Sequence, residues 1–196
     1  MTRYKNIVSE LIVTCFFVGK IKYAPGTFGS LLAFPINFLI TMLVIKSRIL
    51  IPIGDYSDFT REFLTVFVAI LLSAAILFII GVINSNIYMK GTNSEDPSEI
   101  VIDEVVGQML TSALTMISVA FVYGSKYGSL VDKAFIDIIC FFIMPFVLFR
   151  ICDIVKPWPI GWMDKNIKGG IGVMLDDVAA AILASILHFA IIFVFI

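Results

Sequence analysis

The chain has 196 residues and a mass of 21.7 kDa; 60% of its residues are hydrophobic, 15% are charged and the formal net charge is −1. Soluble domains run nearer roughly 45–50% apolar and about 25% charged, so a mean hydropathy of +1.02 excludes a soluble globular domain and a disordered chain. The near-zero net charge leaves no basic footprint for nucleic acid, and Cys15, Cys140 and Cys152 form no C-x-x-C zinc or disulfide pattern. The expected fold is all-α: a polytopic membrane helical bundle of about five spans, one domain over residues 1–196.

The first apolar stretch, Ile7–Gly19, holds Glu10 and is 13 residues long. A spanning helix needs about 20 residues. An interfacial helix, a partly buried helix and a signal-like segment all fit, and no small-x-small cleavage pattern follows it. Five longer stretches follow: Leu31–Ile45, Phe63–Ile83, Val105–Tyr123, Ala134–Phe149 and Val178–Ile196. The second, third and fifth are long enough to cross. The first and fourth are short and carry Pro35 and Pro145, so they cross only if their helices extend into the flanking polar residues. Stretches 52–62, 84–99 and 124–133 read as loops.

Five crossings place residues 1–28, 84–104 and 150–177 on one side of the membrane. That side holds nine of the fourteen Lys and Arg residues, which favours the cytoplasm, and ten of the fifteen acids. If Ile7–Gly19 also crossed, Arg3 and Lys5 would change sides and the basic count would be even. The other loops would keep their relative placement.

The unusual residues lie in those three segments. Gly26-Thr27-Phe28-Gly29-Ser30 precedes the first span, and a glycine-rich stretch before a helix N-terminus can receive a phosphate. It lacks the Walker lysine spacing. Asp96-Pro97-Ser98-Glu99 reads as a helix cap, with Asp103 about two turns further on if the helix starts near Pro97. Asp103-Glu104 and Asp176-Asp177 each stand where a spanning helix is expected to begin. Acids there complement the helix macrodipole. Two such pairs on one side, with Asp96 and Asp153, instead suggest a cation site, and an all-oxygen carboxylate set suits Mg²⁺.

Glu104, Gly107, Thr111, Thr115 and Ser118 recur on one face of the third span, as do Asp177, Ala181, Ala184 and His188 on the fifth. Stripes of small and weakly polar residues are where membrane helices pack. Both should point inward, with a shared acidic site at their ends. Arg150, Asp153 and Lys156 follow at three-residue steps; they form either an interfacial ion-pair ladder or a phosphate clamp. Pro157 and Pro159 end that helix, and Trp158 and Trp162 suit the headgroup belt. His188 lies about 16 Å along the helix from Asp177, too deep for a phosphohistidine at the headgroup plane. No cysteine has an Arg six residues on. A metal-activated water is therefore the expected nucleophile.

The segments GTFGSLLAFP, DPSEIVIDEVVGQ and FRICDIVKPWPIGWMDKNIKGGIGVMLDDVAA resemble the phosphatidylglycerophosphatase A family, in order, from about Pro25 to Ala180. The resemblance implies an Mg²⁺-dependent membrane phosphatase that converts phosphatidylglycerophosphate in the bilayer to phosphatidylglycerol and inorganic phosphate, working at the cytoplasmic face of the inner membrane. By motif, Asp103, Glu104, Asp176 and Asp177 are expected to hold Mg²⁺. Thr27, Ser30, Arg150, Lys156 and Asp164 are expected to bind substrate, with Asp96, Asp153 and Lys156 as the catalytic set and Asp153 or Asp96 orienting water. Two other readings stand beside it. A CDP-alcohol phosphotransferase would also use Mg²⁺ and aspartates, but its Asp-Gly…Ala-Arg…Gly…Asp…Asp pattern is missing. An ion or metal transporter would use intramembrane carboxylates, but here the acids cluster on one side.

Overall fold

The computed structural model describes residues 7–52, 57–92, 94, 97–126 and 138–195. Among the described residues there are seven α-helices and no strand: α1 (Ile7–Val13), α2 (Pro25–Ser47), α3 (Asp58–Thr92), α4 (Ile102–Lys126), α5 (Met144–Val155), α6 (Ile160–Asn166) and α7 (Gly169–Phe195). A π-helical turn, Ile139–Ile143, leads into α5. Helices α2, α3, α4 and α7 are long and apolar enough to cross a membrane. The protein is a helical membrane bundle.

The first expected span does extend. Helix α2 starts at Pro25, where the missing N–H costs nothing, and runs through Pro35 to Ser47. The fourth expected span begins at residues 134–137, outside the described residues, as does most of loop 124–133. From Ile138 it is helical to Val155. The π turn falls just before Pro145, where the proline ring would collide with the carbonyl four residues back in a regular helix.

Helix α1 has seven residues, about 10 Å of rise, and cannot cross. It buries Ser9, Glu10 and Val13, the last in the hydrophobic core, and exposes Ile7 and Val8. Three successive non-glycine residues, Cys15, Phe16 and Phe17, take left-handed backbone conformations after it and turn the chain back. Of the readings for this segment, the structure shows a short, partly buried helix packed on α3.

Helix α3 takes in residues 58–62 and 84–92, expected as loop. Two further helix starts differ from expectation. Helix α4 begins at Ile102, so no helix starts at Pro97; Asp96, the expected cap, lies outside the described residues. A helix from Pro97 needs the Val101 N–H for the Pro97 carbonyl; instead that N–H donates to Val13 O at 2.9 Å. Helix α7 begins at Gly169 rather than near Val178. Asp176 and Asp177 therefore stand two turns inside a helix, beyond the reach of its N-terminal dipole.

Helix α4 is the hub. It packs on α2, α3, α5 and α7, most extensively on α7, and 56% of its apolar stretch is buried against 22% for α2. The inward stripes are as expected: Gly107, Thr111, Thr115 and Ser118 on α4 and Asp177, Ala181, Ala184 and His188 on α7 are all buried. Deep in the bundle, His188 Nε2 pairs with the Cys140 carbonyl of the π turn at 2.9 Å. The outer faces carry Phe38, Leu43, Leu72, Ile79, Phe193 and other exposed apolar side chains, a surface suited to lipid. Trp158 and Trp162 are exposed beside α6.

Gly107 is the closest point of the hub. A Cβ there would lie 2.5 Å from the ring of fully buried Phe149 and 3.2 Å from Asp177 Cβ. Gly107→Leu should cost about 1–3 kcal/mol through overpacking, read as a lowered thermal midpoint in detergent relative to Gly91→Leu, whose site is open.

Candidate functional site

One cavity of about 580 Å³ opens where the N-terminus of α2, the start of α4, the end of α5, α6 and the first turns of α7 meet. Thr27, Asp103, Glu104, Arg150, Asp153, Lys156, Asp164, Asp176 and Asp177 all line it. Asp96 lies outside the described residues. Ser30 does not line the cavity: its hydroxyl donates to Gly26 O at 3.0 Å and accepts from Arg150 Nη1 at 3.2 Å. It stands behind the arginine.

The glycine-rich stretch is helix, not a loop before one. Thr27 N–H is already bonded to Ala24 O, and Phe28 N–H reaches the same carbonyl. The free-amide cradle expected there is thus mostly spent inside α2. The glycine at 26 serves a close approach instead. A Cβ on Gly26 would sit 2.0 Å from Glu104 Oε1 and 3.1 Å from Arg150 Nη2, so any side chain would displace the Glu104 carboxylate from its place.

The acids fall into two sets. Asp103, Glu104 and Asp177 each offer an oxygen within 4.8 Å of the others. Glu104 Oε2 and Asp177 Oδ2 are buried and have no hydrogen-bond partner. Asp176, also expected among the cation ligands, gives one oxygen to Lys156 Nζ; its other oxygen, Oδ1, is buried without a partner. Buried carboxylate oxygens left this way are costly unless a cation or a proton meets them.

The cations bridge elements. Arg150 donates through Nη1 to Asp153 Oδ2 at 2.6 Å as well as to Ser30, tying α5 to α2. Lys156 takes a left-handed conformation at the C-terminal end of α5 (φ 44°), its N–H closing on Cys152 O at 2.9 Å. That turn brings its ammonium to Asp164 Oδ1 at 2.7 Å and to Asp176. Burial alone would lower the Lys156 ammonium; its hydrogen bonds to Asp164 and Asp176 outweigh burial and hold it above the usual lysine range. It acts as a fixed positive charge. Burial, with the Glu104 charge adding to it, pushes the Cys15 thiol up to about 12, so it stays a neutral thiol.

Lys165, Lys168, Gly169 and Gly172 also line the cavity, as do Pro97, Ser98 and Ile100. The sequence reading did not single these out as site residues. The lysines were legible as the remaining charges of the third motif; the others have no chemical signature of their own.

A family model described as Phosphatidylglycerophosphatase A matches residues 11–192. The chain is 33% identical over 182 residues to phosphatidylglycerophosphatase A of Escherichia coli strain K12, covering 92% of this chain and 81% of that protein. It is 29% identical over 183 residues to phosphatidylglycerophosphatase A of Haemophilus influenzae, covering 93% and 87%. It is also 33% identical over 186 residues, 93% and 92% of the two chains, to a Bacteroides thetaiotaomicron protein provisionally described as a phosphatidylinositol-3-phosphatase. No solved structure matches.

The raised Lys156 ammonium makes a chemical prediction. At about pH 9 an ordinary lysine holds a reactive fraction of free amine, whereas a raised one holds less. Amine acylation in detergent, mapped by peptide mass, should label exposed Lys165 and spare Lys156. Asp176→Asn should render Lys156 reactive.

Proposed function

The chain belongs to the phosphatidylglycerophosphatase A family, and on that premise we propose that it hydrolyses the phosphomonoester of phosphatidylglycerophosphate, giving phosphatidylglycerol and inorganic phosphate. The observation that carries this reading is the meeting of Asp103, Glu104 and Asp177 in one cavity with Arg150 and Lys156. A phosphomonoester dianion needs both a cation-binding set and fixed positive charge.

The donor chemistry fits Mg²⁺. The three clustered groups offer only oxygen, and two of their oxygens are buried without partners. Asp176, beside Asp177 and half committed to Lys156, has one further oxygen to offer. When bound there, Mg²⁺ would neutralise charge on the phosphoryl oxygens and lower the pKa of a bound water.

The chain's own groups do the rest. Arg150, locked by Ser30 and Asp153, presents its guanidinium to the phosphoryl oxygens, and Lys156 adds a second fixed charge. Asp164 keeps Lys156 in place, and the Thr27 hydroxyl is a further contact for the phosphate. Asp153 orients the attacking water, with Asp96 the other carboxylate for that role. A P–O bond forms to water, the bond to the glycerol oxygen breaks, and the proton that the attacking water gives up balances the one that oxygen takes up. Lys156, held above its usual range, is a poor source for it. The acyl chains stay in the bilayer while the headgroup enters. Side counting supports the cytoplasmic face of the inner membrane: α1 does not cross, so the Lys/Arg excess stays with the cavity.

The likeness to the Bacteroides protein supports a second substrate, a phosphatidylinositol monophosphate. Phosphate release from the two lipids in mixed micelles, with Mg²⁺ and with chelator, separates the readings. Release should depend on Mg²⁺ and be faster from phosphatidylglycerophosphate; faster release from phosphatidylinositol 3-phosphate would favour the second substrate, and none from either would overturn the function. Asp103→Asn, Glu104→Gln and Asp177→Asn should each lower kcat by about 10²-fold or more. Near-normal rates in all three would remove the cation role of this cluster.

A further inference from the structure

A second set of contacts lies behind the cavity wall. Tyr88, buried near the end of α3, donates its hydroxyl to Glu99 Oε2. Glu99 belongs to the non-helical stretch Pro97–Val101, of which Pro97, Ser98 and Ile100 line the cavity. The same stretch is held from its other side. Val101 N–H donates to Val13 O at 2.9 Å, and a Cβ on Gly19 would lie 1.9 Å from the Glu99 carbonyl oxygen. Lys20, the next residue, pairs with Glu10.

We propose that Glu99, held by Tyr88, is a positioning residue for the cation-binding carboxylates. The proposal rests on the cation reading above. Asp103 and Glu104 follow Val101 by two and three residues, in the first turn of α4. Each residue of register turns a helix by about 100°. A slip of the 97–101 stretch would carry Asp103 and Glu104 away from Asp177 on α7, a helix that α3, α5 and α6 also hold. Tyr88 and Glu99 do not line the cavity. They fix where α4 starts.

The test is Mn²⁺ binding to the purified protein in detergent, followed by the electron paramagnetic resonance of free Mn²⁺. Tyr88→Phe and Glu99→Ala should each weaken binding about tenfold, the lower end of what outer-shell support is worth. The double variant should be no weaker than either single one. Glu99→Gln, which still accepts the tyrosine proton, should bind as the parent does. Unchanged affinity in the single variants, or losses that add in the double one, would overturn the positioning role. A parent protein that binds no Mn²⁺ would overturn the cation reading instead, and this inference with it. Should Glu99→Ala not fold by thermal melting, Tyr88→Phe removes one hydroxyl and carries the same test.

Discussion

Charge at the end of a membrane bundle has to be answered inside the protein, and here Lys156 and Arg150 do it. Lys156 draws Asp164 on α6 and Asp176 on α7 to the end of α5. Arg150 draws Asp153 and the Ser30 hydroxyl of α2 together one turn earlier. Lys156–Asp176 and Arg150–Ser30 cross-link elements, Arg150–Asp153 lies within α5, and the partly exposed Lys156–Asp164 pair is nearer to a surface pair at about 0–1 kcal/mol. Removing Lys156 is costly chiefly because it leaves the buried Asp176 carboxylate unmet. The short α6 and the turn at Lys156 follow from this requirement: they return Asp164 to the lysine before α7 begins.

The apolar interior sets how close the acids come. Small residues on α4 and α7 let the two helices meet, and Gly107 lies against both Phe149 and Asp177. Glu104 is three residues from Gly107 on the same face. Close packing at Gly107 thus brings the Glu104 and Asp177 carboxylates near one another, although like charges oppose it. Packing in the bundle overrides electrostatics at its end, and the result is a cluster with partnerless oxygens.

Much of this was legible in the residues. Parity of the spans put three motifs on one side, and helical spacing picked the buried faces of α4 and α7 before any contact was known. What spacing could not give was where helices start. Asp176-Asp177 are expected where a spanning helix begins; α7 instead starts at Gly169, and Gly169, Gly170 and Gly172 form its first turn. Asp96–Glu99 read as a cap because local chemistry favours one, but the long-range bond that the Val101 N–H donates to the Val13 carbonyl keeps a helix from starting at Pro97. The left-handed backbone at Lys156 was invisible because lysine gives no signal for it. That turn, more than the sequence spacing, decides that Lys156 faces Asp164 and Asp176.

The charge of the finished cavity ties binding of the two ligands together. Its lining holds six carboxylates, Asp103, Glu104, Asp153, Asp164, Asp176 and Asp177, against Arg150, Lys156, Lys165 and Lys168. With all groups ionised, two negative charges are in excess. A phosphomonoester adds about 1.5–2 more at neutral pH. In a partly dehydrated site those charges repel the substrate, and Arg150 and Lys156 already serve carboxylates. On the proposed reading a divalent cation on the Asp103, Glu104 and Asp177 set would take the place of the protons that otherwise meet those buried oxygens, so that ionised carboxylates and an anionic substrate can share the cavity, in addition to any part in the chemistry.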